Sequence, residues 1–450
     1  PPRSTLFPYT TLFRSVDRER LRAIFKSATY YDLEAELETD VLEVFSAELI
    51  AIDGKRLATG KDFDSNTGKL IKDNVLLLSS SQATALVQEL QNGPWVVSSV
   101  EEKPQTSNPY APFITSTMQQ EASRKLHFSA RKTMRTAQRL YEAGFITYMR
   151  TDSIQLSQEA LDGARKVIKE RYGDEFLPDK PVMYKSKVKN AQEAHEAIRP
   201  AGVVYDDVKT VSAKVGGDEG KLYDLIWKRA VASQMKPAKL KRTIVNIENQ
   251  NTVFRARGRV ILFPGYMRVY VEGSDDPDGK LADREKFLPE MKKDQRLVCK
   301  NLTPEEHITK PPARFTEASV IKEMEKQGIG RPSTWASIIG RIQKKDYVRN
   351  QKGSLVPTFL AVAVTQLLEN HFSSIVDSQF TSKMEDELDS ISRGESEPHP
   401  FMHGFYFGSD DTPGLHQMLE DEIDIRKACT MLITNGSVEE IVIRIGNYGP

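Results

Sequence analysis

Two β-patterned blocks, held apart by a long helical stretch, limit what this chain can fold into more than any other feature. Over 30–57 apolar residues alternate at period two. Leu33, Ala35 and Leu37 come first, then Phe45, Ala47, Leu49 and Ala51, ending at Asp53-Gly54, a hairpin turn signal. Strand patterns follow at 75–78 and 95–100, with a helix between them that Ser81 would cap. The second block, 241–300, carries Thr243, Val245 and Ile247, then runs at 253–257, 260–263 and 267–271. Strands divided in this way predict either one sheet domain with a helical insertion over 104–240, or two sheets.

The insertion holds the chemistry. Thr117 and Gln120 form a capping-box pattern at the start of one helix. Ser129 is the expected N-cap of the next, with Met134, Ala137, Leu140 and Tyr141 as its apolar face and Gly144 at its left-handed end. Then comes AGFITYMRTDS, residues 143–153, with a short β-prone run over 145–148. In extended backbone residues two apart share a face, so Tyr148, Arg150 and Asp152 would project together. A tyrosine oxygen beside a guanidinium suits attack on a phosphodiester, because the cation holds the phosphate and stabilises the charge that builds on it. The alternative is a half-buried tyrosine at a helix-to-loop junction. Further helices are expected from Ser157 to Gly173, over 191–198 (AQEAHEAI) and over 219–235.

Composition bounds the class. The 450 residues are 39% hydrophobic and 28% charged, which fits a globular protein of two to four domains. No apolar run approaches the ~20 residues of a membrane helix, and no secretory signal is visible. Cys299 and Cys429 lie far apart, without zinc spacing, as expected in a reducing cytoplasm. The net charge of zero hides an asymmetry. Residues 122–150 hold seven basic residues against Glu142 alone, while 377–424 hold thirteen acids against Lys383 and Arg393. A basic centre is the electrostatic footprint of a phosphate backbone, although a solvated helix face gives the same pattern. The acids after 377 read as solvated.

Residues 312–357 give a third pattern. A helix over 317–327 ends at Gly328, the connection GIGRP follows, a second helix starts at Ser333-Thr334, and Lys352-Gly353 turns a hairpin. Helix, turn, helix, hairpin outlines a winged helix, and Arg331, Ser333 and Thr334 at the second helix's start suit a phosphate. An ordinary helical hairpin fits equally. Helices are expected over 360–392, a loop over 393–414 and strands from 424 on. Residues 1–15 show no helical period and resemble translated sequencing-adapter sequence. They are set aside as a non-native leader, and the chain is expected to be truncated at both ends.

EAGFITYMRTDS, AQEAHEAIRP and RFTEASVIKEMEKQGIGRPSTWASII, together with SNPYAPFITSTMQQEASRKLHFS, resemble bacterial type IA DNA topoisomerase I from about residue 16 on, and the motifs occur in the family's order. The resemblance implies an α+β multidomain arch. It comprises a helical part of the base over 16–29, a β-rich arch over 30–103 and 241–272, and a helical nucleophile domain over 104–240. A winged-helix-like DNA-binding domain over 273–398 follows, then a linker and the start of a C-terminal repeat over 399–450. It implies that Tyr148 forms a 5′-phosphotyrosine link, with Arg150 on the scissile phosphate and Asp152 orienting Arg150. His195 would assist phosphate or strand binding, and Arg331, Ser333 and Thr334 would line a single-strand groove. It further implies a monomer acting on single-stranded segments of negatively supercoiled DNA, without ATP and without zinc. Mg²⁺ ligands in the family belong to an N-terminal acidic domain for which no counterpart is found in this sequence, so the fragment alone is expected to bind DNA without full activity.

Two other readings compete. A tyrosine recombinase would need two arginines and an HxxR before the tyrosine, whereas His195 and Arg199 give HxxxR after it. A non-enzymatic winged-helix protein would make Tyr148 merely structural.

Overall fold

The computed structural model describes residues 8–185, 196–274, 286–376, 378–409, 412–420, 422–424, 426, 429–433 and 441–444. The two β blocks form one antiparallel sheet: β1 Thr29–Glu38, β2 Val44–Ile52, β3 Lys55–Arg56, β4 Trp95–Ser107, β5 Ala238–Asn249, β6 Thr252–Phe263 and β7 Arg296–Ile308. Its order is β1-β7-β4-β5-β6-β2-β3, and β1 also pairs with β2, so six strands close into a barrel. Period-two alternation explains the filling. Leu33, Ala35, Leu37, Phe45, Ala47, Leu49, Val245, Ile247, Phe254 and Ala256 all point inward and form one core. Trp95 meets Phe254 edge-on at 4.7 Å between ring centres. Asp53 and Gly54 both take positive φ, +50° and +72°, as the hairpin from β2 to β3 requires.

The sheet reaches beyond the expected limit at 272. β7 pairs along the whole of β1 and, through Trp95 and Val96, with β4, so residues 296–308 belong to the barrel and not to the winged-helix unit. Two expected strands are absent. Residues 75–78 form only isolated bridges, Leu76 to Leu57 and Leu78 to Tyr31. The 267–271 run begins inside a short 3₁₀ turn, Gly265–Arg268, and continues without strand pairing, with Tyr266 and Tyr270 drawn into the helical core beside the barrel.

The insertion leaves the barrel at Ser107 and returns at Ala238, which are register partners at the ends of β4 and β5. Between them lie α3 Thr115–Leu126, α4 Ala130–Glu142, α5 Gln158–Tyr172, α6 Val208–Val215 and α7 Gly217–Ser233. Helix α2, Ser80–Leu90, precedes β4 and is capped by Ser79, whose Oγ accepts from Gln82 N, not by Ser81. Ser129 and Ser157 cap α4 and α5, accepting from Lys132 N and Ala160 N. Gly144 ends α4 at φ +76°. Thr117 does not open α3. It is the third helical residue, and its Oγ1 accepts from Ile114 N at 3.0 Å. Of the helix expected over 191–198, residues 191–195 lie outside the described residues and 196–198 are extended, with Ile198 bridged to Phe113.

Helices α8 Glu317–Lys326 and α9 Trp335–Lys344, with β8 Val348–Gln351, β9 Ser354–Pro357 and α10 Phe359–His371, form the winged-helix outline. The hairpin turns on Lys352 and Gly353, at φ +51° and +86°. One expectation fails here. Residues 8–15 are not patternless: helix α1, Pro8–Ala23, sets Leu12 and Val16, one turn apart and both fully buried, against Val320, Ile321, Trp335 and Ile338. Burying side chains of this size stabilises by about 1.5–3 kcal/mol each. The acids after 377 are not all solvated either. Glu385, on α11 Ser378–Ser392, is 1% exposed and faces Arg331.

Candidate functional site

Backbone pairing, more than side-chain packing, sets the shape of the 145–153 stretch. Ile146 bridges Pro200, and Thr147 N donates to Arg199 O at 3.0 Å. Thr147 Oγ1 donates to Ala197 O at 2.8 Å. The expected β run is therefore a single strip laid beside 197–201. The other side is fixed by Thr115, the first residue of α3. Its N–H donates to Thr151 O at 3.0 Å. Its Oγ1 donates to Met149 O at 2.8 Å and accepts from Thr151 N at 2.9 Å.

Those bonds turn Met149 into the core, where it is 1% exposed, and leave Arg150 exposed. Tyr148 is half-buried, its ring edge-on to Tyr141 at 5.4 Å. Met149 is thus turned in and Arg150 out, while the Tyr148 ring packs against the same apolar core that holds Met149. Arg150 makes no ion pair among the described residues. Asp152 is partly buried, and no hydrogen bond joins it to Arg150 among the described residues. It lies instead near Glu325 of α8. Burial pushes the Glu325 carboxyl up, a hydrogen bond from Ser116 acts against this, and the charge of Asp152 adds to the rise.

His195 lies outside the described residues. The segment that follows it is pinned: Arg199, 4% exposed, donates to both Glu196 carboxylate oxygens, at 3.1 and 2.7 Å, and to Pro200 O and Gly202 O. With its donors so engaged, Arg199 shapes the loop beside Thr147 and offers little to a ligand.

In the winged-helix unit the three expected residues have different fates. Ser333 is exposed. Thr334 is buried and turned back, its Oγ1 accepting from Arg331 N at 2.8 Å. Arg331 is held by Asp389 at 2.6 Å and donates to Gly328 O and Gly330 O. Its charge is largely answered within the protein, which sequence reasoning did not anticipate because α11 is far along the chain.

The basic centre is also thinner than its count. Arg124 and Lys125 pair with the buried Glu121, Lys132 with Asp218, and Arg139 with Glu219. Arg131 and Arg135 stay exposed on α4. A second basic surface was missed. Arg242 on β5, Arg255, Arg257 and Arg259 on β6, and Lys286 line a cavity of about 550 Å³, together with Glu34 and with Glu48, which pairs with Arg257 at 2.8 Å. The run FRARGR carries its signal: arginine at every second residue of a strand puts three cations on one face.

Comparison with known proteins bears on this geometry. Residues 9–403 match the family model described as DNA topoisomerase. The chain is 48% identical over 435 residues to DNA topoisomerase 1 of Synechococcus elongatus, covering 96% of this chain and 49% of the relative. It is 46% identical over 467 residues to DNA topoisomerase 1 of Streptomyces coelicolor, covering 97% and 48%. The chain therefore spans about half the length of the curated relatives it matches. The fold resembles full-length topoisomerase I from Thermotoga maritima, with TM-score 0.73 and 29% identity over 99% of this chain and 68% of that one.

Proposed function

The chain belongs to the DNA topoisomerase family, and from that premise we propose that it supplies the cutting and strand-gating portion of a bacterial type IA DNA topoisomerase I. The observation that carries the proposal is the Tyr148–Arg150 run, which places a half-buried phenol two residues from an exposed guanidinium that has no ion pair among the described residues. Tyr148 Oη attacks the phosphorus of one DNA backbone ester. The P–O3′ bond breaks, the phenolic proton passes to solvent, and the departing 3′ oxygen takes a proton from solvent to leave as a hydroxyl. A 5′-phosphotyrosine results. Arg150 binds the phosphate oxygens and stabilises the charge added at phosphorus. Resealing reverses each step, so no bond energy is lost and no nucleotide triphosphate is consumed. Another strand passes while the break is open, which relaxes negatively supercoiled DNA.

His195 assists the phosphate or the strand, Ser333 lines the single-strand groove, and Arg331 and Thr334 shape the turn that presents it. Asp152 acts by its charge near this site. The cleft on β5 and β6 offers a further contact to a DNA backbone. Among the described residues no group of three or more His, Cys, Asp or Glu side chains could hold a metal ion, and no step above runs through one. We place Mg²⁺ dependence in the whole protein, which works as a monomer on DNA in the cytoplasm, at the nucleoid. No described helix is long and apolar enough to cross a membrane. The family match disfavours a purely binding winged-helix role.

The test uses a chain extended to the length of its relatives. Tyr148→Phe is expected to abolish the covalent adduct on single-stranded DNA while binding stays within about twofold, since one hydroxyl contributes little to a multi-phosphate contact. Adduct formed by the variant would remove Tyr148 from the role.

A further inference from the structure

Strand register lays out the cations of the β5–β6 cleft. Arg242 on β5 is the register partner of Arg259 on β6, and Arg259 bridges Lys286 on its other side. Cross-strand partners share a face, so the three cations stand in one row. Backbone bonds fix the row: Arg259 N donates to Lys286 O at 2.8 Å and Lys286 N to Arg259 O at 3.1 Å. Gly258 lets the chain after Lys286 close on β6, because a Cβ there would lie 2.9 Å from Leu288 Cγ. Farther along the same face, Arg255 is the partner of Glu48 on β2, and Glu48 is the partner of Glu34 on β1. The cleft is therefore polar along its length, with a row of cations at one end and two carboxylates at the other.

Like charges at opposed strand positions are destabilising. Part of the charge is answered inside the protein. Glu48 pairs with Arg257, and Arg255 Nε donates to Asn246 Oδ1 at 2.8 Å. Arg242 and Lys286 are exposed and make no ion pair among the described residues. Two unanswered cations over a cavity of about 550 Å³ suit a compact, multiply charged anion. The carboxylates narrow the class. They repel a chain whose phosphates continue along the cleft, but they accept hydrogen bonds from hydroxyl groups. A ligand with adjacent phosphates at one end and a sugar at the other satisfies both ends.

We infer that the cleft binds a nucleoside polyphosphate, with its phosphates on Arg242, Arg259 and Lys286 and its sugar hydroxyls at Glu34 and Glu48. No bond of the ligand is broken there. The DNA backbone contact at this cleft, which rests on the proposed function, uses the same cations, so the nucleotide displaces it.

Calorimetry on the 450-residue chain, with ATP and inorganic tripolyphosphate as probes, tests the site without DNA. Both probes are expected to bind. Arg242→Ala and Lys286→Ala are each expected to weaken both by about tenfold, the scale of one lost charged hydrogen bond. Both side chains are exposed, so the variants are expected to fold as the parent does. Glu34→Ala is expected to weaken ATP by about threefold and to leave tripolyphosphate as tight or tighter, since it removes a hydroxyl acceptor and a repelling charge together. Probes that fail to bind, or that bind the two cation variants as well as the parent, overturn the inference. So does a Glu34→Ala variant that changes ATP and tripolyphosphate alike. A single-stranded oligonucleotide that loses affinity in Arg242→Ala while neither probe binds would make the cleft a DNA groove, which also overturns it. Oligonucleotide binding that ignores saturating ATP would take the cleft out of the DNA contact and leave the nucleotide site standing.

Discussion

Thr115 is a buried threonine that never reaches the surface, yet it decides where Arg150 points. Its hydroxyl satisfies Met149 O and the Thr151 N–H together, at 2.8 and 2.9 Å, in a site with 0% exposure. Replacing it by valine keeps the shape and leaves Met149 O and the Thr151 N–H without the hydroxyl. Thr115→Val is expected to lower stability by roughly 1–3 kcal/mol, the cost of leaving buried backbone groups unpaired. Urea unfolding measures it, and an unchanged midpoint would show that the stretch is held by packing alone. In an extended chain the same variant is expected to lose adduct yield with little loss of DNA affinity. Nothing in the sequence marks this residue. Its importance comes from two backbone groups more than thirty positions away, and local pattern carries no such information. Tyr148 and Arg150 stand out in the sequence because their chemistry and spacing lie in one short run. The pairing of Arg331 with Asp389 was not, since it joins two elements that only packing brings together.

At the scale of elements, local signals were read well and distant pairing poorly. Ser129, Gly144, Ser157 and the Lys352-Gly353 turn act on their own neighbours and stand where the sequence put them. β7 was missed because it reads RLVCKNLTPEEHI: only a few apolar side chains turn inward, Leu297 and Leu302 among them, and Pro304 and the charges dilute the alternation. α4 sharpens the electrostatic expectation. Lys132 and Arg139 are answered by Asp218 and Glu219, whereas Arg131 and Arg135 are exposed. Replacing Arg131 and Arg135 by alanine is expected to reduce the slope of log affinity for single-stranded DNA against log salt by about one for each. Replacing Lys132 is expected to change it less. Equal effects from the two groups, read by fluorescence anisotropy across a salt series, would mean that the helix does not lie against phosphate.

At the scale of the molecule, the chain is a closed barrel with a helical insertion that leaves and returns at paired residues, and a winged-helix unit packed on that insertion through α3 and α8. The split β pattern announced the insertion. It could not announce closure, because closure depends on β1 pairing with both β2 and β7, and on a contact of only two residue pairs between β4 and β7. The arrangement ties the Tyr148–Arg150 stretch to α3 through Thr115. The most direct test of the central claim is to trap the covalent complex of the extended protein on single-stranded DNA in denaturant, digest both components and map the nucleotide-bearing peptide by mass spectrometry. The account predicts a phosphodiester on Tyr148, with the DNA attached through its 5′ phosphate. A nucleotide on any other residue, or attachment through a 3′ phosphate, would contradict it.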